Sequence, residues 1–481
     1  MSQNFPHPLI VDLDGTLIRT DLLFETANCF LKLYPFHFFK LFLWLFRGKS
    51  VLKSELAERV QLDVTALPYN IDVLNWLRSE QNRGRRLVLA TASHRLLAEQ
   101  VALHLNLFEE VIATEGNLNL KSSAKAQALI SRFGEAGFDY VGNDWPDLQV
   151  WAHAHTAHLV DAPPALVLNA KAQSRLGQVF IRGRPSIFWA LLKAMRLHQW
   201  MKNLLVFVPL FAAHRYFDVS RDALALMAFV VFSLTASSVY LLNDLLDVQD
   251  DRHHARKRHR PFASGALSLV TGWAAWPALL VVAALLSALF MPWMFSLVLV
   301  VYFVLTLAYS LHLKQLAVVD VLTLAALYTL RIIAGAAAVA VPLSFWLLLF
   351  SMFIFLSLAL IKRYSELKVA RDAGKTGALR GRGYESDDLA LVSSLGGSAG
   401  FIAVLVLALY IQDGQAAHLY AQPQLIWLVC PVMLFWISRA WLIAHRGRMH
   451  DDPIVFALKD KVSWGVGFFM LSVMALARVL S

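Results

Sequence analysis

Two modules of different fold class are predicted for this chain of 481 residues: a Rossmann-like α/β domain with a small helical cap over 1–165, and an all-α transmembrane bundle over 191–481. A linker at 166–190 joins them. Three observations lead there. Hydrophobic residues make up 58% of the chain and are unevenly placed, mixed with charge up to about residue 185 and gathered afterwards into long apolar stretches between short charged loops. Apolar strand-like runs end in polar groups at Leu9–Asp14, Leu87–Ser93 and Tyr140–Asp147. About nine apolar spans of crossing length follow, near 198–217, 222–243, 268–290, 293–312, 317–340, 343–361, 390–411, 424–444 and 462–480.

In the first module the strand Leu9-Ile10-Val11 runs into Asp12-Leu13-Asp14-Gly15-Thr16. Asp12 is placed to attack phosphorus, Asp14 lies on the same side two residues on as acid/base, a carboxylate from the third run would complete a magnesium site, and Lys125 would neutralise a phosphate. Over roughly residues 5–165 these motifs resemble the haloacid dehalogenase superfamily of phosphohydrolases. The resemblance implies Asp12 as nucleophile, Asp14 as acid/base, Thr91 and Lys125 as phosphate-binding groups, and Asp147 in the metal site. The chain departs from the family at Gly142-Asn143-Asp144-x-x-Asp147, where an amide stands in the usual first metal-ligand position; Asn143 or Asp144 would then complete the site.

The run Phe30 to Arg47 is rich in aromatics, broken by Pro35, and carries Lys32 and Lys40. It reads as cap helices on the membrane surface, the alternative being an ordinary cap core. Residues Met1–Pro8 carry no apolar signal region, so this module is expected on the cytoplasmic side. Loops after the even-numbered spans hold roughly seventeen Lys/Arg against about two opposite, which fixes the same orientation, in a bacterial inner membrane. The net charge of +10 follows from that asymmetry or from phosphorylated partners, and no nucleic-acid partner is implied. Cys29 and Cys430 form no disulfide or zinc framework.

The second span ends Tyr240-Leu241-Leu242-Asn243-Asp244-Leu245-Leu246-Asp247, with Asp251 beyond. At i, i+3 and i+7 the three aspartates share a helix face and would jointly hold Mg2+ on a diphosphate. Arg252 to Gly265 follows, including Arg258 and Arg260-Pro261-x-Ala263-Ser264-Gly265. Over about 190–481 this resembles the UbiA superfamily of intramembrane prenyltransferases. The later loop Lys362-Arg363-Tyr364-Ser365-Glu366 is cationic where aromatic-acceptor enzymes carry a second aspartate motif; with Lys202-Asn203 and Tyr309 to Lys314 it resembles the polyprenyl-phosphate phosphoribosyltransferase branch.

That resemblance implies a polyprenyl phosphate and phosphoribosyl diphosphate as substrates, joined to a lipid-linked ribose 5-phosphate; the co-occurrence of the two modules leads to the further expectation that the first removes the 5-phosphate. Asn243 would orient the aspartates. Lys202, Arg258, Arg260, Lys314, Lys362 and Arg363 would contact phosphates, Glu366 a metal or ribose hydroxyls, and Tyr240, Tyr309 and Tyr364 would line the pocket beside Asn203. Gly335, Gly396, Gly397 and Gly400 would permit close helix approach. The alternative is prenyl transfer to an aromatic acceptor with a non-catalytic first module. Chain length of the lipid and oligomeric state are not encoded.

Overall fold

The computed structural model describes residues 7–115, 120–181, 186–215, 217–374, 377, 383–413, 419–449 and 452–479. Arg182, Arg184 and Pro185 of the expected linker, and part of the basic loop 362–386, lie outside them. The chain forms two compact units, one of Met1–Arg196 with Tyr240–Pro277, the other of Leu197–Val239 with Ala278–Ser481.

In the first unit six parallel strands, β1 (Leu9–Val11), β2 (Leu87–His94), β3 (Glu110–Thr114), β4 (Asp139–Gly142), β5 (Thr156–Val160) and β6 (Arg175–Phe180), lie in the order 3-2-1-4-5-6. The expected doubly wound α/β class holds. Both faces are covered, which is why the central strand β1 and the first half of β2 are uninterrupted apolar runs. Leu9 and Val11 of β1, with Leu87 and Leu89 of β2, enter one core, whereas Ile10, Val88 and Ala90 enter the other, as the two-residue strand period requires. Order reverses between β1 and β4, so the crevice at their carboxyl ends is where polar groups gather.

The α/β layer extends further than expected. Residues assigned to a linker form the helix Pro164–Gln173 and strand β6. The register of β5 on β6 shifts between Ala157 and Leu159. At that shift His158 Nδ1 accepts from the Gln178 N–H at 2.9 Å, so a neutral imidazole substitutes for a ladder bond. A Cβ on Gly177 would stand 2.5 Å from His158 Cε1, so only glycine fits beside the ring.

A cap follows β1: helices Leu22–Leu33, Phe38–Arg47 and Lys49–Arg59, with a core of Phe30, Trp44, Leu52, Leu56 and Val60. The expectation of an ordinary cap core is met on one side of these helices only, since many aromatics of the second remain exposed.

Eight helices among the described residues are long and apolar enough to cross a membrane: Val219–Leu246, Leu269–Phe290, Trp293–Leu311, Val319–Ala338, Phe345–Asp372, Ser386–Gln412, Pro423–His445 and Lys461–Val479. The chain is an integral membrane protein. The remaining expected span, 198–217, is corrected: its described part is a 3-10 run Leu197–Phe207 and a short α-helix Val208–Ala212. Its buried polar groups explain the unwinding. Asn203 bonds Ser233 Oγ at 2.9 Å and accepts from Arg331 Nε at 2.9 Å, and Lys202 pairs with Asp452. Irregular backbone of this kind persists only where protein surrounds it.

Of the four glycines expected at close helix approaches, three qualify. A Cβ on Gly335 would lie 2.0 Å from Val206 O, one on Gly396 2.1 Å from the Trp441 ring, and one on Gly400 2.6 Å from Ile437, whereas Gly397 faces open space.

Two predictions follow from these packings. Gly335→Ala must part its helix from the 3-10 run and is expected to cost about 1–3 kcal/mol in thermal unfolding in detergent, with Gly397→Ala near zero. An equal effect at both sites would contradict the close approach. Burial lowers the His158 pKa to about 4 against an ordinary value near 6.5, with Asp139 opposing and Arg85 adding to the effect. Between these values the unfolded state binds more protons, so stability is full above pH ~6.5 and is lost as pH falls toward 4, by about 3 kcal/mol at most. Hydrogen exchange at β6 should quicken over that window, and His158→Phe should flatten the dependence.

Candidate functional site

Polar groups converge at the β1–β4 switch point. Asp12, just beyond β1, accepts from Lys125 Nζ at 2.7 Å and from Thr16 Oγ1 at 3.3 Å. Thr16 Oγ1 also lies 3.1 Å from Asn143 Oδ1, so two hard oxygens face one hydroxyl. Lys125 continues to Tyr140 OH at 2.9 Å, and that hydroxyl donates to Asp147 at 2.9 Å. The other Asp147 oxygen accepts from the Asn143 and Asp144 N–H groups at 2.9 and 3.1 Å. Asp147 therefore shapes the loop. Asp144 is exposed and caps Trp145 N–H at 2.8 Å.

Asp14, two residues on, is held by a separate set of donors. It accepts from Leu22 N–H at 2.8 Å, Ser93 Oγ at 2.7 Å and Thr91 Oγ1 at 3.3 Å. Ser93, Thr16 and Tyr140 were not singled out from sequence. Their signal was weak because hydroxyls abound and only the fold sets these beside aspartates. Burial raises Asp12 to about 7 although Lys125 pulls it down, and raises Asp14 to about 6 with Asp21 adding to the effect. A buried carboxyl paired with a lysine, near a second carboxyl whose pKa burial also raises, is an arrangement that can serve phosphoryl transfer.

The acidic motif of the membrane part also belongs to the first unit. The helix Val219–Leu246 breaks at Asp247, yet Asp247 N–H still bonds Asn243 O at 2.9 Å and Asp251 N–H bonds Asp247 O at 2.8 Å. Near-helical geometry is thus preserved across the three aspartates. Asp244 is buried and paired with Arg196; Arg260 Nη1 lies 3.1 Å from Asp244 and 2.6 Å from Asp251. Two carboxylates therefore converge on one positive centre. Burial pushes Asp251 up to about 6 although Arg260 opposes it. Lys32 of the cap bonds Asp250 at 2.6 Å and approaches Asp247 at 3.9 Å. Among the described residues no three or more His, Cys, Asp or Glu side chains form a metal-binding group. Tyr240 lies under the Arg196 guanidinium, Asn243 is half-buried and Arg258 is exposed.

This segment is anchored to the cap. Arg252, buried, donates to both Glu25 carboxylate oxygens at 3.0 and 2.6 Å and to Ala263 O at 3.0 Å, while Thr20 donates to Glu25 at 2.7 Å. Asn28 donates to Leu245 O at 2.6 Å and accepts from the Trp273 indole at 3.0 Å.

Cations of the second unit are likewise engaged. Lys202 pairs with Asp452 and lies over the Tyr328 ring. Burial raises the Asp452 carboxyl, but Lys202 and Lys362 outweigh it and hold it below the usual range. Asp452 was not singled out from sequence, since it lies between the expected spans 424–444 and 462–480. Arg363 and Asp320 are each 0% exposed and pair at 2.5 Å, with Tyr384 OH donating to Asp320 at 2.8 Å and Glu366 joining Arg363. The expected phosphate contact of Arg363 is corrected, since its guanidinium is enclosed by protein. Tyr364 is buried with its hydroxyl 3.0 Å from His445 Nδ1. Lys362, Tyr309 and Lys314 are half-buried.

The sequence profile of the UbiA prenyltransferase family matches residues 204–473. An uncharacterized protein, y4nM, of Sinorhizobium fredii is 36% identical over 98% of this chain and 91% of its own. Nodulation protein NoeC of Azorhizobium caulinodans is 40% identical over 57% of this chain and 88% of its own, and decaprenyl-phosphate phosphoribosyltransferase of Mycobacterium tuberculosis is 36% identical over 56% and 88%. Among solved structures, a UbiA homolog from Archaeoglobus fulgidus bound to GPP and Mg2+ is similar at 15% identity and a TM-score of 0.44, covering 60% of this chain and 98% of its own. A phospho-aspartyl intermediate analogue of phosphoserine phosphatase is similar at 13% and 0.27, covering 37% and 94%.

The Glu25–Arg252 pair gives a direct test of how the acidic segment is held. Glu25→Leu leaves Arg252 buried without a counter-charge and is expected to destabilise the first unit by about 3–5 kcal/mol, whereas adding Arg252→Met to it recovers most of the loss. Thermal unfolding of the four variants in a double-mutant cycle checks this; additive losses would show that the two side chains do not depend on each other.

Proposed function

The chain belongs to the UbiA prenyltransferase family, and from that premise we propose that it is a polyprenyl-phosphate phosphoribosyltransferase whose N-terminal domain removes the 5-phosphate of the product. The observation that carries this reading is the 36% identity to decaprenyl-phosphate phosphoribosyltransferase across 88% of that enzyme. The cationic start of the loop after Phe345–Asp372 supports it, because two separately phosphorylated substrates need positive charge where an aromatic acceptor does not.

In the transfer step an oxygen of the lipid phosphate bonds to the anomeric carbon as the bond from that carbon to diphosphate breaks. Asp244, Asp247 and Asp251 would hold the cation, and the convergence of Asp244 and Asp251 on the Arg260 guanidinium fits a divalent ion in that place. When bound, magnesium neutralises the diphosphate. Arg260 and Arg196, released from the carboxylates, would turn to phosphate oxygens. Lys202 and Lys362 are the candidates of the second unit for phosphate contact, and Arg363 with Asp320 and Tyr384 fixes the helix that carries Lys362. The cytoplasmic placement of these groups belongs to the same reading, following the Lys/Arg asymmetry of the loops.

In the hydrolytic step Asp12 attacks phosphorus, the bond to the ribose oxygen breaks, and Asp14 gives that oxygen its proton. Water then attacks the aspartyl phosphate with Asp14 as base, restoring Asp12 and releasing phosphate. Lys125 balances charge on the phosphoryl group, and Asn143 Oδ1 beside Asp12 would complete the magnesium site there.

The test supplies full-length protein with magnesium, a polyprenyl phosphate and ribose-labelled phosphoribosyl diphosphate. Label is expected in the lipid, lost on chelation and reduced at least about a thousandfold by Asp247→Asn. A lipid product lighter by one phosphate, absent with Asp12→Asn, is expected from the N-terminal site. Labelled lipid with no lighter product would remove the phosphatase half alone; no labelled lipid at all would remove the transferase half.

A further inference from the structure

The helix Phe38–Arg47 exposes an apolar face in water that the cap core does not need. Trp44 and Leu41 turn inward to that core, whereas Phe38, Phe39, Phe42, Leu43 and Phe46 point outward, with Phe46 88% and nearby Phe36 87% exposed. These positions fall at i, i+4 and i+8 and at i+1 and i+5, a continuous stripe on one side of a helix. Lys40 and Arg47 flank it, and Lys32 and Lys49 lie just before and after. Aromatics bordered by cations match the boundary between acyl chains and anionic headgroups, where such rings are favoured. An exposed face this apolar marks an interaction surface.

The same cap shows which surface covers it. Asn28, ten residues before Phe38, bonds Leu245 O at the end of the span Val219–Leu246 and the Trp273 indole in the first turn of the span Leu269–Phe290. Both partners stand where apolar helices emerge from the bilayer. At ~1.5 Å per residue the intervening chain cannot carry the aromatic stripe more than a few helical turns from that level.

We propose that the helix Phe38–Arg47 is a monotopic membrane contact that seats the phosphatase cap on the bilayer holding the chain's own spans. Resting on the phosphatase reading above, it also identifies the substrate class: a phosphomonoester carried on a membrane lipid. The link to the site is the hairpin itself. One residue, Gly48, with φ of 124°, turns the aromatic helix into Lys49–Arg59, whose Lys53 donates to Ala92 O at 2.5 Å and carries its charge beside Asp14 and Asp21. The element resting on lipid is thus continuous with the one that reaches the rim of the phosphatase site.

The experiment uses full-length protein, with Cys29 and Cys430 replaced by serine, in vesicles of phosphatidylethanolamine and phosphatidylglycerol. A nitroxide at Phe42→Cys should be relaxed more by oxygen than by a water-soluble nickel chelate, and one at Gln127→Cys the reverse. Nickel relaxation at Phe42 equal to that at Gln127 overturns the proposal, as does dipolar broadening showing a second copy on this face. As a second measurement, Phe38→Ser with Phe42→Ser and Phe46→Ser should lower hydrolysis of a polyprenyl-linked phosphomonoester by about tenfold and leave p-nitrophenyl phosphate unaffected. Equal loss on both substrates counts against it. Failure of the unaltered protein to hydrolyse either removes the phosphatase reading, while the nitroxide result still decides the membrane contact.

Discussion

A charge taken out of water must meet an opposite charge, and in this molecule that constraint decides which distant segments come together. Asp12 with Lys125, Glu25 with Arg252, Asp244 with Arg196 and Arg260, Arg363 with Asp320, and Lys202 with Asp452 each join residues far apart in sequence or on separate elements. The pairs differ in what they can release. Arg363 and Asp320 are wholly enclosed, and Tyr384 also donates to Asp320, so they act as a fixed strut. Arg260 is part exposed and shared between two carboxylates, so a stronger cation and an anionic substrate together can displace it.

The α/β class was legible because strand period, terminal polar groups and motif order agreed. Both faces of the sheet are buried, so its central strands read as plain apolar runs. The edge strand β6 was not legible: Arg175-Leu176-Gly177-Gln178 alternates weakly and exposes its polar residues, and at its register shift an imidazole of β5 takes a place in the ladder. Long apolar helices were equally readable. The segment 198–217 was not, because hydropathy averages over Lys202 and Asn203 without recording that each has a buried partner elsewhere.

Site residues divide along the same physical line. The candidates Asp12, Asp14, Asp244, Asp247 and Asp251 lie in short motifs whose spacing itself suggests a chemistry, so they could be singled out directly. Their partners were not. Arg196, Tyr140, Ser93 and Asp452 acquire roles only through tertiary packing, and nothing local distinguishes them from other arginines, tyrosines, serines or loop aspartates. Arg363 shows the converse, a residue in a suggestive local motif whose burial assigns it to support.

The proposed joining of two functions in one chain would have a structural counterpart at Asp14. Leu22 N–H, which holds Asp14, begins the helix that one turn later carries Glu25 and two turns later Asn28. Glu25 grips Arg252 beyond the acidic motif, and Asn28 grips Leu245 within it. A single helix of the cap therefore holds Asp14 at its start and the backbone of the acidic motif along its length. Because the helix is short and its three attachments are buried or bidentate, a displacement at either end is resisted at the other. The fusion is thus more than a tether: the fold of the N-terminal domain is part of what holds the acidic motif in place.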